Sequence, residues 1–218
     1  MTKALPTRIA LTACLLLCGA PPAGAAAGVG AARHDSASPQ AAAPRARAQR
    51  RGRQRRLRRP DVIFVPTPPE TVDEMLRQAN LKKGDVLYDL GSGDGRIPLA
   101  AARKYGVRAV GIDIDPKLVA EANEAARREG LESLVSFRHA DMFAADVSEA
   151  TVVTLYLLQT QNEALLPKLR ELKPGARVVA HHFPVPGLKP DRTVKVRSKE
   201  TNEEHALYLY TAPFQGVP

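Results

Sequence analysis

The segment Asp89-Leu90-Gly91-Ser92-Gly93-Asp94-Gly95-Arg96 decides the fold class of this 218-residue chain. It joins an apolar run over 86–90, typical of a buried strand, to a helical pattern that begins at Ile97. Its three alternate glycines allow positive φ and let a ligand approach the backbone closely. Asp113 ends the next apolar run, 22 residues after Gly91, where a carboxylate can accept hydrogen bonds from both hydroxyls of a ribose. The segment therefore predicts a strand, loop and helix that bind a nucleotide-type cofactor.

Apolar, β-rich runs alternate with amphipathic stretches from residue 61 onward, which is typical of an α/β domain with a mainly parallel sheet. The last two runs alternate apolar and polar residues with period two, so we expect them to pair antiparallel. We predict helices over 69–80, 97–105, 117–128 and 162–172, and strands over 86–90, 107–114, 135–137, 150–158, 176–181, 193–198 and 205–210. The predicted fold class is α/β: a Rossmann-like, seven-stranded, mainly parallel sheet with an antiparallel C-terminal hairpin and helices on both faces.

Charge is distributed unevenly along the chain. The formal net charge is +9, but residues 1–60 hold 12 Lys and Arg against one acid, while residues 61–218 hold 20 against 22. The second part is thus slightly acidic, and we expect no nucleic-acid partner for it on electrostatic grounds. Both cysteines, Cys14 and Cys18, precede it, which excludes a disulfide framework or a Cys-ligated zinc site there. We predict one folded domain over 61–218.

The amino terminus has the pattern of a secretory signal. Lys3 and Arg8 precede an apolar run over 9–20, and small residues follow it, so we predict a signal peptide over 1–27 and an exported or membrane-associated protein. An organelle transit peptide is the alternative, because residues 1–60 contain a single acid, Asp35.

Residues 28–60 are predicted to form a disordered, Arg-rich linker, because they offer almost nothing that could be buried. Nine arginines lie between Arg45 and Arg59. They could contact an anionic surface or simply form a solvated linker, and the lack of interleaved aromatic residues argues against base stacking.

The spacing of the glycine loop bears on which cofactor it holds. A dinucleotide site requires G-x-G-x-x-G, and the sixth position here is Arg96. S-adenosylmethionine (SAM) has no phosphate but carries an ammonium and a sulfonium, which the carboxylate of Asp89 would attract. SAM is therefore favoured over NAD.

Three motifs resemble those of a known enzyme family. Phe64-Val65-Pro66-Thr67-Pro68, the stretch over 88–97 and Pro174-Gly175-Ala176-Arg177-Val178-Val179 are similar to the ATP synthase c-subunit lysine methyltransferases and their small prokaryotic relatives. The resemblance to class I, seven-stranded SAM-dependent methyltransferases extends over nearly all of residues 61–218. It implies transfer of a methyl group from SAM to a protein lysine. We also expect a monomer, and a membrane protein is a candidate substrate.

The same resemblance implies a set of cofactor-binding residues. The methionine part of SAM would lie against Asp89, Gly91, Gly93 and Gly95, the ribose against Asp113, and the adenine against Asp141 and Met142. Ser92 and Ile114 are further predicted cofactor contacts. Thr67 belongs to the segment over 64–68 that would cover the cofactor, although it could equally start a turn or cap the next helix. Asp141 could likewise be a polar turn residue.

The predicted fourth strand ends where the acceptor of the methyl group should enter. A lysine amine must be deprotonated to react, and an apolar, aromatic-lined slot favours its neutral form. Tyr156 is a candidate aromatic wall, unless it packs in the core, and Gln159 or Asn162 is a candidate hydrogen-bond acceptor for the amine. His181 or His182 could accept a proton near neutral pH. We expect no metal site, because this histidine pair lacks a third ligand.

Two other functions remain open from the sequence. One is a non-catalytic SAM-binding or sensing module tethered by its basic arm, because no catalytic signature follows the fourth strand. The other is an NAD(P)-linked oxidoreductase, which Arg96 disfavours.

Overall fold

The structure, a computed structural model, describes Leu57 and residues 62–216. The predicted signal peptide, nearly all of the Arg-rich linker and the boundaries at residues 27 and 60 lie outside the described residues.

Four helices and seven strands follow one another along the described part of the chain. They are α1 (Pro69–Gln78), β1 (Val86–Leu90), α2 (Arg96–Tyr105), β2 (Arg108–Asp113), α3 (Pro116–Arg128), β3 (Val135–His139), β4 (Val152–Leu155), α4 (Gln159–Leu169), β5 (Arg177–His181), β6 (Arg192–Arg197) and β7 (Glu204–Thr211). The strands form one sheet in the order β3-β2-β1-β4-β5-β7-β6, parallel from β3 to β5, with β7 antiparallel to both β5 and β6. The predicted fold class is confirmed.

Helices cover both faces of the sheet. Apolar residues of α1, α2 and α3, such as Met75 and Ala101, share one buried cluster with Leu87 of β1. Leu165 of α4 joins a second buried cluster, which contains Leu155 of β4. None of the helices in residues 62–216 is long and apolar enough to cross a bilayer.

The boundary between β4 and α4 differs from the prediction. The strand ends at Leu155 rather than at residue 158, and the helix begins at Gln159 rather than at residue 162. The backbone N–H of Leu158 donates to Oε1 of Gln161 at 3.1 Å, half of a capping box that starts the helix early. Tyr156 to Leu158 therefore form a short connection that passes the end of the sheet.

An ion pair ties the start of β1 to the start of β5. Arg177 donates from Nη2 to Oδ2 of Asp85 at 2.6 Å and from Nε to the carbonyl of Ala79 at 3.0 Å. Burial acts to raise the pKa of Asp85, but hydrogen bonds from Arg177, Thr151 and the Lys82 backbone outweigh it and lower the pKa to about 2. This network lies at the opposite end of the strands from the glycine loop.

Candidate functional site

A cavity of about 250 Å³ opens at the carboxyl ends of β1, β2 and β4. The chain leaves β1 to form β2 on one side and returns to form β4 on the other, so the cavity lies at the switch point where open α/β sheets bind ligands. Its volume is close to the lower end of the range for small-molecule sites, roughly 300–1,000 Å³.

The glycine loop is held against β2 by its backbone. The N–H groups of Gly91 and Ser92 donate to the carbonyl of Ile112 at 2.8 and 3.1 Å, and the N–H of Gly93 donates to Oδ2 of Asp113 at 2.8 Å. Gly91 has a φ of 81° and lines the cavity. The predicted cradle is therefore present, and its backbone orients the carboxylate of Asp113.

Asp89 is a buried carboxyl group that lines the cavity. The hydroxyl of Thr154 donates to its Oδ1 at 2.7 Å. Burial raises the pKa of Asp89 to about 7, and the carboxylates of Asp113 and Asp94 add to the rise, against the hydrogen bond from Thr154. A cationic ligand in the cavity would favour the ionised carboxylate.

The remaining predicted cofactor contacts lie along the same edge of the sheet. Asp113 also accepts from the N–H of Asp115 at 2.9 Å, so each of its oxygens is fixed by one backbone donor. Oδ1 of Asp141 accepts from the N–H of Phe143 at 3.0 Å. Ser92, Asp113, Ile114, Asp141 and Met142 all line the cavity.

A strap, residues 62–67, covers the cavity from the amino-terminal side. Nη1 of Arg96 donates to the carbonyl of Thr67 at 2.8 Å, while the rest of its guanidinium grips Asp94. The Thr67 hydroxyl is hydrogen-bonded to Nδ1 of His181 at 3.3 Å. Thr67 is buried, lines the cavity and makes no side-chain cap to α1, so it anchors the strap rather than starting the helix.

Tyr156 forms a wall of the cavity and is half-buried rather than a core residue. Its ring centroid lies 3.9 Å from that of His181, and burial raises the pKa of the Tyr156 phenol, with a smaller effect from Glu203. Behind it, Nε2 of His181 is 2.9 Å from Nδ1 of His205.

Burial lowers the pKa of His181 to about 3, and the neighbouring His205 and His182 lower it further. His181 is fully buried and remains neutral, which corrects the expectation that it could accept a proton near neutral pH. Among the described residues, no group of three or more His, Cys, Asp or Glu side chains could hold a metal ion.

Comparison with known proteins gives the family. A family model described as the ANTKMT methyltransferase domain matches residues 89–192. A protein-lysine N-methyltransferase of Saccharolobus islandicus (strain REY15A) is 44% identical over 153 residues, which cover 69% of this chain and 94% of that protein. The chain belongs to the family of this protein-lysine N-methyltransferase.

Other relatives of the methyltransferase differ in their named acceptor. A crystal structure described as an RNA methyltransferase from Salinibacter ruber in complex with S-adenosyl-L-homocysteine is 50% identical, with a TM-score of 0.64, and the match covers 71% of this chain and 97% of that one. The ATP synthase c-subunit lysine N-methyltransferase of Homo sapiens is 36% identical over 136 residues, covering 62% of this chain. The methyltransferase spans 58% of that human protein's length.

The residues of the methyltransferase fit SAM as its cofactor. The cavity offers the carboxyl of Asp89, a pre-oriented carboxylate at Asp113 and a loop at Gly91, where a Cβ would lie only 2.7 Å from Leu157. The hydroxyl of Ser92 is buried without a hydrogen-bond partner. When bound, SAM supplies a methyl group on a sulfonium, and these residues would hold its cationic and ribose parts.

Two of the predicted glycines of the methyltransferase support the site without lining it. A Cβ on Gly93 would lie 2.1 Å from the ring of Phe64, and a Cβ on Gly95 would lie 2.4 Å from the ring of Phe137. Gly93 therefore makes room for the strap. Gly95 makes room for Phe137 of β3 and Ala122 of α3 at the start of α2, and its contact with the cofactor stays a prediction.

Two predicted acceptor-site residues of the methyltransferase lie outside the cavity lining. Gln159 is exposed in the first turn of α4. Asn162 is fully buried, and its Nδ2 donates to the carbonyls of Phe183 and Pro184 at 3.0 and 3.3 Å. The early start of α4 carries both away from the position that a longer β4 would have given them.

Gln161, which sequence reasoning did not single out, lines the cavity instead. Its side chain caps α4 at Leu158, so it is held at the edge of the site. The available signal was a glutamine three residues after a position that could begin a helix.

Proposed function

We propose that this methyltransferase transfers a methyl group from SAM to the side-chain amine of a lysine in a protein. The observation that supports this proposal is the composition of the cavity wall that follows β4. It is formed by Tyr156, Leu157 and Leu158 together with Phe183, and it contains no ionised group. Such a wall disfavours the ammonium form of a lysine and favours the neutral amine, which is the nucleophile. The named activity of the Saccharolobus relative supports the same acceptor.

The reaction is an in-line displacement in which the amine nitrogen forms a C–N bond as the methyl carbon leaves sulfur. Tyr156 and its neighbours exclude water and orient the amine, since positioning is the main demand of such a step. The amine loses one proton in all. Because His181 is held neutral by burial, that proton leaves to water rather than to this histidine.

The cavity is a poor site for RNA, which the Salinibacter relative is named for. Among the described residues that line the cavity, five are aspartates and one, Arg96, is a cation. Arg96 is paired with Asp94. Phosphates bind where cations are available, and here they would meet carboxylates.

The full chain should be incubated with labelled SAM and three acceptors: a peptide with one central lysine, the same peptide with arginine in its place, and a single-stranded RNA. We expect label in the lysine peptide alone. Label in the RNA alone, or in both peptides equally, would overturn the proposal.

The cofactor site is tested separately by Asp113→Ala. Loss of hydrogen bonds to a charged group should weaken SAM binding about 10- to 100-fold in calorimetry, with no binding of NAD by the wild type. Asp146→Ala is the matched control, because Asp146 also accepts from a backbone N–H, that of Ser148, but lies outside the cavity lining. Equal losses in the two variants would contradict this assignment.

We also propose, from the sequence of residues 1–60, that the protein is exported or membrane-associated and that Arg45 to Arg59 contact an anionic surface. The support is the signal-like order of residues 1–27 and the nine arginines. Cell fractionation with amino-terminal sequencing tests it. A mature protein that starts near residue 28 supports export. An intact Met1 in the membrane fraction would contradict export and support membrane association instead.

A further inference from the structure

Exposed apolar side chains are concentrated at the mouth of the cavity. Among the described residues, seven large apolar side chains are exposed, and five of them line the cavity: Val62, Ile63, Phe64, Val65 and Leu158. Ile63 is 90% exposed and Val65 is 57% exposed. A patch of this kind at the mouth of a site indicates an interaction surface.

We name Val62, Ile63, Val65 and Leu158 the apolar collar. The collar is fixed in place from below, because Phe64 packs on Gly93 and Arg96 and His181 hold Thr67. The strap therefore cannot fold its aliphatic side chains inward without breaking these contacts. The collar faces outward because it is anchored, and within residues 62–216 nothing buries it, so it can meet a partner.

The chemistry around the collar limits what that partner can be. The collar comes from the strap and the connection after β4, whereas the half-buried carboxylates of Asp115 and Asp141 follow β2 and β3 along the same mouth. One part of the rim thus suits aliphatic side chains, and the other part suits a cation. An approaching lysine ammonium would meet the carboxylates, and aliphatic neighbours in its own chain would meet the collar, before the amine reaches the apolar wall in its neutral form.

We propose that the apolar collar binds aliphatic residues that flank the acceptor lysine of a protein substrate. The inference rests on the proposed lysine acceptor and adds the local sequence that the enzyme selects. RNA fits the collar poorly, because the collar has no cation for phosphates and the carboxylates at the same mouth would repel them.

The test compares two peptides that each carry one central lysine, one flanked by leucine and valine and the other by serine and glutamine. With the full chain we expect kcat/KM for the aliphatic peptide to be higher by about tenfold, mainly through a lower KM. A tenfold difference is smaller than the full burial of two aliphatic side chains would give. The double variant Ile63→Ser/Val65→Ser should abolish this preference. Tyr105→Ser is the matched control, because Tyr105 is an exposed apolar residue outside the cavity lining, and it should keep the preference.

The possible outcomes distinguish failure of the collar proposal from failure of the proposed function. Equal kcat/KM values for the two peptides in the wild type overturn the collar while leaving lysine methylation in place. Labelling of RNA but of neither peptide overturns both. If Ile63→Ser/Val65→Ser keeps the peptide preference but loses cosedimentation with vesicles of phosphatidylglycerol and phosphatidylcholine, the collar faces lipid and the proposal is overturned. SAM binding to the double variant, measured by calorimetry, shows whether it is folded.

Discussion

At the scale of single residues, Asp89 couples cofactor binding to pH. Its pKa is raised to about 7, chiefly by burial, so below pH 7 much of the free protein carries a neutral carboxyl at this position. A cationic ligand requires the ionised form, and the proton must leave as it binds. We therefore expect the affinity for SAM to rise by up to about tenfold per pH unit below pH 7 and to level off above it.

Calorimetry between pH 5.5 and 8, in two buffers of different ionisation enthalpy, measures both the affinity and the released proton. Asp89→Asn should bind SAM more weakly and lose the pH dependence. A wild-type affinity that stays flat across this range would contradict the assignment.

The sequence located most of these side chains because they end strands. Asp89, Asp113 and Asp141 lie at or just after the carboxyl ends of β1, β2 and β3, and that edge of a parallel sheet can be read from the alternation of elements. Gln159 and Asn162 could not be placed in the same way. Their position depends on where β4 stops and α4 starts, and that boundary includes a side-chain cap from Gln161 that the apolar pattern does not show.

At the scale of elements, the ring of Phe64 in the strap packs against Gly93 of the glycine loop. A Cβ on Gly93 would clash with Phe64, whereas nothing lies within 4 Å of a Cβ on Gly106, although both glycines have positive φ. Gly106→Ala should therefore cost only the backbone strain, about 1 kcal/mol of unfolding free energy. Gly93→Ala should cost that and also displace the strap, which weakens SAM binding.

The comparison requires thermal unfolding and SAM calorimetry on both variants. Phe64→Ala combined with Gly93→Ala isolates the contact, because removing the ring removes the clash. We expect the effect of Gly93→Ala on SAM affinity to be smaller in the Phe64→Ala background. If it is the same in both backgrounds, the loop and the strap are not coupled through this ring.

Arg96 joins the strap to the loop in a way that depends on its planar fork. It bonds both oxygens of Asp94 and the carbonyl of Thr67 at once, which a lysine cannot reproduce. Arg96→Lys should therefore raise the dissociation constant for SAM by about tenfold despite the conserved charge. Arg103→Lys, at an exposed pair with Glu129, is the control and should change nothing. An unchanged SAM affinity in Arg96→Lys would show that the strap is held by other contacts.

At the scale of the whole molecule, two buried groups act on stability with opposite signs. The pKa of Asp89 is raised in the folded state, so its contribution to the free energy of unfolding is full below about pH 3.8 and is lost as pH rises to about 7. The folded pKa of His181 is depressed, so its contribution is full above about pH 6.5 and is lost as pH falls toward 3. Asp85 acts only below this window, because its pKa falls from 3.8 to about 2.

Between pH 4 and 6.5, these opposing effects should leave the melting temperature of the SAM-free protein nearly flat. Asp89→Asn removes one of them, so its stability should rise with pH by up to about 1.4 kcal/mol per unit. His181→Gln removes the other, so its stability should fall with pH. Scanning calorimetry at four or so values across the window gives the slopes, and parallel slopes for the two variants would refute the compensation.

The fold itself was within reach of sequence reasoning, whereas the histidine pair was not. Hydrophobic patterning predicted the succession of seven strands and four helices along the chain, because burial on both faces of a parallel sheet leaves near-continuous apolar runs. The contact between His181 and His205 joins neighbouring antiparallel strands 24 residues apart, and its register follows from the pairing of β5 with β7. No local pattern encodes that register.

The anchored strap also makes the protein convenient for optical measurement. The chain contains no tryptophan, so Ile63→Trp would introduce a sole indole at a position that is 90% exposed and borders the cavity. Its emission would shift to shorter wavelength when a substrate covers it, without background from any other indole. Stopped-flow recordings on that variant would time substrate arrival separately from methyl transfer, and they would require no radiolabel.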